Sequence, residues 1–129
     1  MVLLGVNGGL MRGLYANQRM HEAGCVFVRE AKTEAAYRLW SVNDTYPAMI
    51  RTEEEGKGAQ IAVELWEVPT MGMEQVLIGE PKGLCVGKIV LEDGTETLGV
   101  LGEPYITTGM KEITKYGGWR AYGAPCTPK

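Results

Sequence analysis

The chain has 129 residues, of which 45% are hydrophobic and 22% charged, and its formal net charge at pH 7 is -3. These values are typical of one folded, water-soluble domain and exclude disordered and fibrous proteins. The slightly acidic balance gives no indication of binding to nucleic acid or to an acidic membrane surface. The 18 glycines, about twice the average share of roughly 7%, indicate many tight turns and a strand-rich fold.

Cysteine and histidine are too sparse for most metal and nucleophile chemistry. Cys25, Cys85 and Cys126 show no C-x-x-C spacing, so neither a disulfide framework nor a zinc site is indicated. His21 is the only histidine, which argues against metal centres and against Ser-His-Asp or Cys-His catalysis. We therefore expect no metal or organic cofactor. Because no signal-peptide pattern or long apolar run is present, we expect a cytoplasmic protein.

The first half of the chain predicts strands separated by glycine-rich and charged turns. An apolar run over 2–6 stops at Asn7-Gly8-Gly9, and the polar stretch 17–23 suits a short helix ended by Gly24. A strand is predicted over 25–31. The segment 33–39 has local helix propensity but is short, and we interpret it as a strand. A turn over 43–47 and a charged loop over 53–58 follow.

The second half contains the strongest strand patterns. Ile61, Val63 and Leu65 share one face of a strand over 60–68. A short helix over 70–77 is predicted, with Thr70 as its N-cap. Two further strands, over 84–91 and 96–102, flank an Asp93-Gly94 turn over 92–95. In that hairpin Ile89 and Leu91 are expected to face Leu98 and Val100, the segment 107–116 is a short helix or turn, and 124–129 is a frayed tail.

These elements do not alternate regularly between strand and helix, which argues against a doubly wound parallel sheet. The predicted fold class is α+β: a small mixed, curved or barrel-like sheet with two to three short helices, in a single domain over 1–123. Because exposed sheet edges are often covered by pairing, we also expect a homodimer.

The loop after the first strand is a candidate anion-binding site. Its residues are Asn7-Gly8-Gly9-Leu10-Met11-Arg12-Gly13. The backbone N–H groups of Gly8, Gly9 and Leu10 are expected to point into the main cavity and to bind a carboxylate or another small anion. The alternative is an ordinary turn, because the loop lacks the G-x-G-x-x-G and G-K-[ST] patterns.

The loop resembles the glycine-rich loop (aromatic-Gly-Ser/Thr-Leu-x-x-Gly) of the gamma-glutamylcyclotransferase-like fold, with Asn7 in place of the usual tyrosine. Further segments are similar to one branch of that fold, the C-terminal domain of allophanate hydrolase. They are Tyr37-Arg38-Leu39-Trp40, Val63-Glu64-Leu65-Trp66-Glu67-Val68, Leu91-Glu92-Asp93-Gly94, Glu103-Pro104-Tyr105 and the stretch 113–122 with its Gly117-Gly118-Trp119-Arg120-Ala121-Tyr122 string. The resemblance covers about residues 3–123.

The resemblance implies a catalytic acid that faces the glycine loop and exchanges a proton with a gamma-glutamyl amine. The nearest matching position is Glu80, whose pKa would be raised by burial in a pocket away from any permanent cation. The alternative is an exposed loop glutamate. In the allophanate hydrolase branch the domain is implicated in decarboxylation of N-carboxycarbamate through a histidine. This chain carries Leu10 and Asn17-Gln18-Arg19 where that histidine tends to lie, and His21 suits the surface or a helix cap better than catalysis.

Cationic and aromatic residues in two of these similar segments are candidates for carboxylate binding. Tyr37, Arg38 and Arg120 could clamp a small carboxylate, and Arg120 could complement Glu80 if both line one pocket. Trp119 and Tyr122 are more simply explained as core or interface residues, and Arg120 as the partner of a structural acid.

Two hypotheses of function remain open from the sequence. The first is an enzyme that performs cyclotransferase-like or lyase-like acid/base chemistry on a small carboxylated amine, amide or carbamate. The second is a non-catalytic module that binds a small carboxylate or assembles with a separately encoded amidase, since no amidase segment precedes the resemblance in the printed chain.

Overall fold

Two β-sheets and three short helices make up the fold, in a computed structural model that describes residues 1–124. The elements in chain order are β1 (Val2–Val6), α1 (Asn17–Glu22), β2 (Val26–Lys32), β3 (Tyr37–Val42), β4 (Tyr46–Arg51), β5 (Ala62–Val68), α2 (Thr70–Ile78), β6 (Leu84–Val90), β7 (Glu96–Gly102), β8 (Lys111–Glu112) and α3 (Trp119–Tyr122). Single 3-10 turns span Pro104–Thr107 and Thr114–Tyr116.

The larger sheet contains the five strands predicted from the sequence, in the order β2-β5-β1-β7-β6. Its β1–β7 pair is parallel and the other pairs are antiparallel, which confirms the expected mixed sheet and the α+β class. β4, β3 and β8 form a second, three-stranded sheet. The predicted tail over 124–129 lies outside the described residues, apart from residue 124.

The second sheet corrects the interpretation of the segment 33–47. The strand begins at Tyr37 rather than Thr33, and Thr33 instead makes an isolated bridge to Leu91. Asn43 and Asp44 both have φ of 55°, and Val42 pairs with Tyr46, so the connection is the three residues 43–45 and β4 begins at Tyr46 where a turn was expected. A connection this short lets both strands continue close to the turn.

The β6–β7 hairpin forms, but its register differs by one residue from the prediction. Leu91 N–H donates to Thr95 O, and Gly94 has φ of +89°, so the connection is a three-residue loop rather than a two-residue turn. Ile89 therefore lies opposite Thr97, and Leu98 lies opposite Lys88. Because side chains alternate between faces, this shift removes Leu98 and Val100 from the face of Ile89.

Of the two predicted helix ends, the one at Gly24 after α1 is confirmed and the N-cap at Thr70 of α2 is wrong. Gly24, with φ of +81°, follows α1 as expected, and its N–H donates to His21 O. Thr70 is the first residue of α2 and not its N-cap, because Pro69 occupies that position and no side chain caps the helix. The segment 107–116 is a succession of two turns and the short strand β8.

A continuous apolar core joins both sheets and the helices, from Leu4 and Val6 of β1 to Trp119 of α3. Ile61, Val63 and Leu65 are all buried, as their spacing predicted. Within residues 1–124 no helix has the length and apolar character needed to cross a membrane.

Candidate functional site

A small cavity lies where the glycine loop leaves β1. It is lined by the loop residues Asn7 to Leu10, by Tyr15 and Ala16, by Tyr46 and Pro47 of β4, by Glu80 and Pro81 after α2, and by Val6, Leu84 and Val100. Its volume is about 20 Å³, close to the space that one water molecule occupies. The fold therefore brings the glycine loop and the candidate acid Glu80 to one place.

The backbone of the loop leaves three donors available. Within residues 1–124, the N–H groups of Gly8, Gly9 and Leu10 have no acceptor, although the carbonyl oxygens of Gly8 and Gly9 accept hydrogen bonds from Met11 and Ala16. Asn17 of α1 holds the loop from outside, since its Nδ2 donates to Leu10 O over 2.8 Å. The loop is thus fixed through its carbonyls, and its amides remain free for a ligand.

Asn7 has a structural task at this position. Its side chain is buried, and Nδ2 donates to Val100 O of β7 over 3.0 Å and to Met49 Sδ over 3.8 Å. The side chain that replaces the tyrosine of the related loops therefore ties the loop to the sheet and has little left to offer a ligand.

Glu80 is a buried carboxylate beside the cavity, with a cation against it. Its side chain is 12% exposed, and Oε2 accepts a hydrogen bond from Arg19 Nη2 of α1 over 2.5 Å. Burial raises the pKa of Glu80 above its ordinary value, and the hydrogen bond and charge of Arg19 oppose that rise. The expectation that no permanent cation would contact Glu80 is therefore wrong.

Three residues were missed as site residues by the sequence analysis: Tyr15 and Tyr46, which line the cavity, and Arg19, which contacts Glu80. Arg19 comes from α1, Tyr15 from the segment before it, and Tyr46 from the start of β4. Burial raises the pKa of both tyrosines, and the negative charge of Glu80 raises that of Tyr15 further. No sequence motif connects these residues, because only the folding of β4 and α1 around the loop brings them together.

Tyr37 and Arg38 lie on β3, outside the cavity. The Tyr37 hydroxyl is buried and accepts a hydrogen bond from the backbone N–H of Val90 over 3.0 Å. Arg38 binds Glu112 of β8 with two hydrogen bonds of 2.8 and 2.9 Å, and these lower the pKa of Glu112 to about 2. Both residues hold strands together here.

Arg120 also lies away from Glu80 and pairs with a different acid, Glu64 of β5. The carboxylate of Glu64 is nearly fully buried and accepts hydrogen bonds from Arg12 N–H (2.9 Å), Arg12 Nε (3.1 Å), Arg120 Nη2 (3.1 Å) and Trp66 Nε1 (3.2 Å). Burial alone would raise the pKa of Glu64, but these hydrogen bonds together lower it.

A second cleft of about 470 Å³ lies over this ion-pair cluster, and Met11, Glu64, Trp119 and Arg120 are among its lining residues. Met11 therefore lines this cleft and not the small cavity. Glu80 and Arg120 were expected to interact if both lined one pocket, but within residues 1–124 they form no ion pair. Arg120 instead connects α3 to the end of the glycine loop through Arg12 O and Glu64.

His21 makes structural contacts. Its Nε2 lies 3.0 Å from Asn17 Oδ1, and its ring packs edge-on against Trp66 with centroids 5.7 Å apart. Because Asn17 also binds the loop carbonyl of Leu10, His21 supports the loop from behind rather than lining the cavity.

Comparisons with known proteins agree with the resemblance. Residues 2–124 match the family model described as the allophanate hydrolase C-terminal domain. A crystal structure of a uropathogenic E. coli-specific protein is 52% identical, with a TM-score of 0.91 and coverage of 94% of each chain. Kluyveromyces lactis allophanate hydrolase is 26% identical with a TM-score of 0.88, over 94% of this chain and 21% of that one.

The curated relatives are much longer proteins. Urea amidolyase of Saccharomyces cerevisiae is 29% identical over 126 residues, which is 94% of this chain but 7% of the yeast protein. An aig2-like protein of Mus musculus (17% identical, TM-score 0.58) and a gamma-glutamyl cyclotransferase (13%, TM-score 0.50) are similar in fold alone. The fold is therefore cyclotransferase-like, as expected.

Proposed function

The chain belongs to the allophanate hydrolase C-terminal domain family, and from this premise we propose that it is a small-molecule enzyme that performs acid/base chemistry on a small carboxylated amine, amide or carbamate. The observation that carries this proposal is the shared cavity, which is lined by both Glu80 and the glycine-loop residues whose amides have no acceptor within residues 1–124. Charge-stabilising donors and a proton-transfer group are the two components that such chemistry requires.

The two components have distinct roles. The N–H groups of Gly8, Gly9 and Leu10 bind the carboxylate of the ligand, because glycine leaves the backbone accessible at short range. Glu80 exchanges the proton. Its Oε2 is held by Arg19, whereas Oε1 has no hydrogen-bond partner among residues 1–124 and is the oxygen available to a substrate.

Arg19 orients the acid at a cost to its basicity. The Arg19 guanidinium favours the ionised carboxylate, but burial has the larger effect, so the pKa of Glu80 stays above its ordinary value and the group is suited to exchange a proton. Tyr15 and Tyr46 add hydroxyl groups to the same wall. No step in this scheme uses a metal or an organic cofactor.

The proposal is tested by a screen followed by a substitution. Small carboxylates, carbamates and gamma-glutamyl amines are screened by thermal shift, because a ligand that binds only the native state raises its apparent stability. Glu80→Gln is then expected to keep the fold and ligand binding and to lower turnover by about 100-fold or more. Glu55→Gln, in an exposed loop, is the matched control and should keep full activity. Full activity of the Glu80→Gln variant would show that Glu80 is only a loop residue.

A second candidate function is a non-catalytic module for a small carboxylate or for a separately encoded amidase, in a cytoplasmic homodimer. The size of the cavity and the ion pair that already occupies Glu80 favour it. So does the place of this domain in the curated relatives, where the matching region is 7% of a urea amidolyase. Ligand binding without turnover of any screened compound would make this the better account.

A further inference from the structure

The glycine loop is covered from outside by one aromatic side chain. We propose that the Tyr15 ring, packed on Gly9, sets the size of ligand that the cavity accepts and restricts it to compact carboxylates about as large as acetate. This inference rests on the proposed function of the same cavity and adds the residue that determines its specificity.

The contact between Tyr15 and the loop is direct. The hydrogen bond from Ala16 N–H to Gly9 O, 3.0 Å long, turns the chain back over the loop. As a result Tyr15 Cε1 lies 2.6 Å from the position that a Cβ would take at Gly9. Only glycine allows the ring to lie this close, so the ring forms a wall of the cavity at the loop itself.

Four of the other lining residues are fixed. Pro47 presses on the loop from β4, since its Cδ lies 2.6 Å from the Cβ position of Gly8. Val6 and Val100 are buried strand residues. Glu80 is held by Arg19 through an ion pair. A ligand therefore cannot gain room on these sides without disturbing packed strands or breaking that pair.

Tyr15 is held less firmly than these four lining residues. It is 39% exposed, and its hydroxyl has no hydrogen-bond partner within residues 1–124. With the ring in place the cavity has about 20 Å³, close to the space of one water molecule, so a carboxylate enters only when the Tyr15 ring moves outward, and the room that the ring can yield limits the ligand to compact acids. Each further methylene has to displace the ring, and overpacking of this kind weakens binding markedly.

The test compares a homologous series of ligands on the 129-residue chain. Apparent Kd values for sodium formate, acetate, propionate and butyrate are measured by thermal shift against sodium chloride at the same ionic strength. The wild-type protein is expected to bind butyrate at least about tenfold more weakly than acetate. Tyr15→Ala should reduce that ratio to about twofold or less, and Tyr15→Phe should keep the wild-type ratio because it keeps the ring.

Tyr116→Ala is the matched control, since Tyr116 is exposed to a similar degree, 37%, and does not line the cavity. If the Tyr15→Ala variant does not fold, Tyr15→Leu replaces it in the same comparison. A butyrate-to-acetate Kd ratio that is the same in Tyr15→Ala, or in Tyr15→Leu, as in the wild-type protein would overturn the inference. A wild-type protein that binds butyrate as tightly as acetate would also overturn it. A wild-type protein that binds none of the four acids would instead overturn the carboxylate site of the proposed function.

Discussion

Glu64 is a buried carboxylate that accepts hydrogen bonds from the side chains of Arg12 in the glycine loop, Arg120 of α3 and Trp66 of its own strand. Arg12 and Arg120 are 44% and 46% exposed, so solvent still reaches their charges when Glu64 is neutralised, and the cost is that of weakened hydrogen bonds to a charged group, about 1.5–3 kcal/mol. We therefore expect Glu64→Gln to lower the free energy of unfolding by about 2 kcal/mol, measured by urea denaturation. Glu112→Gln removes the more exposed pair with Arg38 and should cost about 1 kcal/mol or less.

Glu64 and Glu80 should respond to pH in opposite directions. The pKa of Glu64 is lowered by folding, so its contribution to stability is present above its ordinary pKa of 4.5 and is lost as pH falls through the folded value. The pKa of Glu80 is raised by folding, so ionising it costs stability as pH rises from 4.5 through the folded value.

A pH series of urea midpoints measures the Glu80 effect. The stability of the wild-type protein relative to Glu80→Gln should fall as pH rises from about 4.5, because only the wild-type carboxylate loses its proton there. A constant difference between the two proteins from about pH 4 to about pH 8 would contradict the raised pKa.

Among the elements, α2 packs on the end of α1 through a glycine. A Cβ at Gly72 would collide with the backbone oxygen of Ala23. Alanine normally stabilises a helix by about 1 kcal/mol relative to glycine, but here the collision should reverse the sign and cost about 1–3 kcal/mol. Thermal unfolding of Gly72→Ala measures this. Gln75→Ala, on the exposed side of α2, is the control and should be neutral or slightly stabilising.

For the whole molecule, β2 and β6 are the edges of the larger sheet. Val26 and Val28 of β2 are 55% and 45% exposed, and an apolar edge of this kind favours pairing with another chain. We expect light scattering at micromolar concentration to give about twice the chain mass of 14.1 kDa. Val28→Lys should give a monomer, whereas Gln75→Lys should not change the mass. A monomeric wild-type protein would refute the homodimer.

The sequence by itself was sufficient for the strands of the larger sheet and for the residues that pack between them. The burial of Ile61, Val63 and Leu65 follows from a local period of two residues, whereas that period does not account for the burial of Glu64 between them. The left-handed glycines after α1 and in the β6–β7 loop are likewise local requirements, as is the glycine loop that follows β1. The side-chain pattern around the loop also carried the family resemblance.

Only the tertiary structure decided which charges meet. Glu80 pairs with Arg19 across 61 positions of sequence, and Arg120 with Glu64 across 56, so no local pattern distinguishes these partners from the other acids and bases. Pro47 reaches the cavity wall because β4 begins at Tyr46, inside the stretch 43–47 that the sequence predicted as a turn. Strand and turn formation depend on neighbours along the chain, whereas ion pairs and cavity size depend on how distant segments pack.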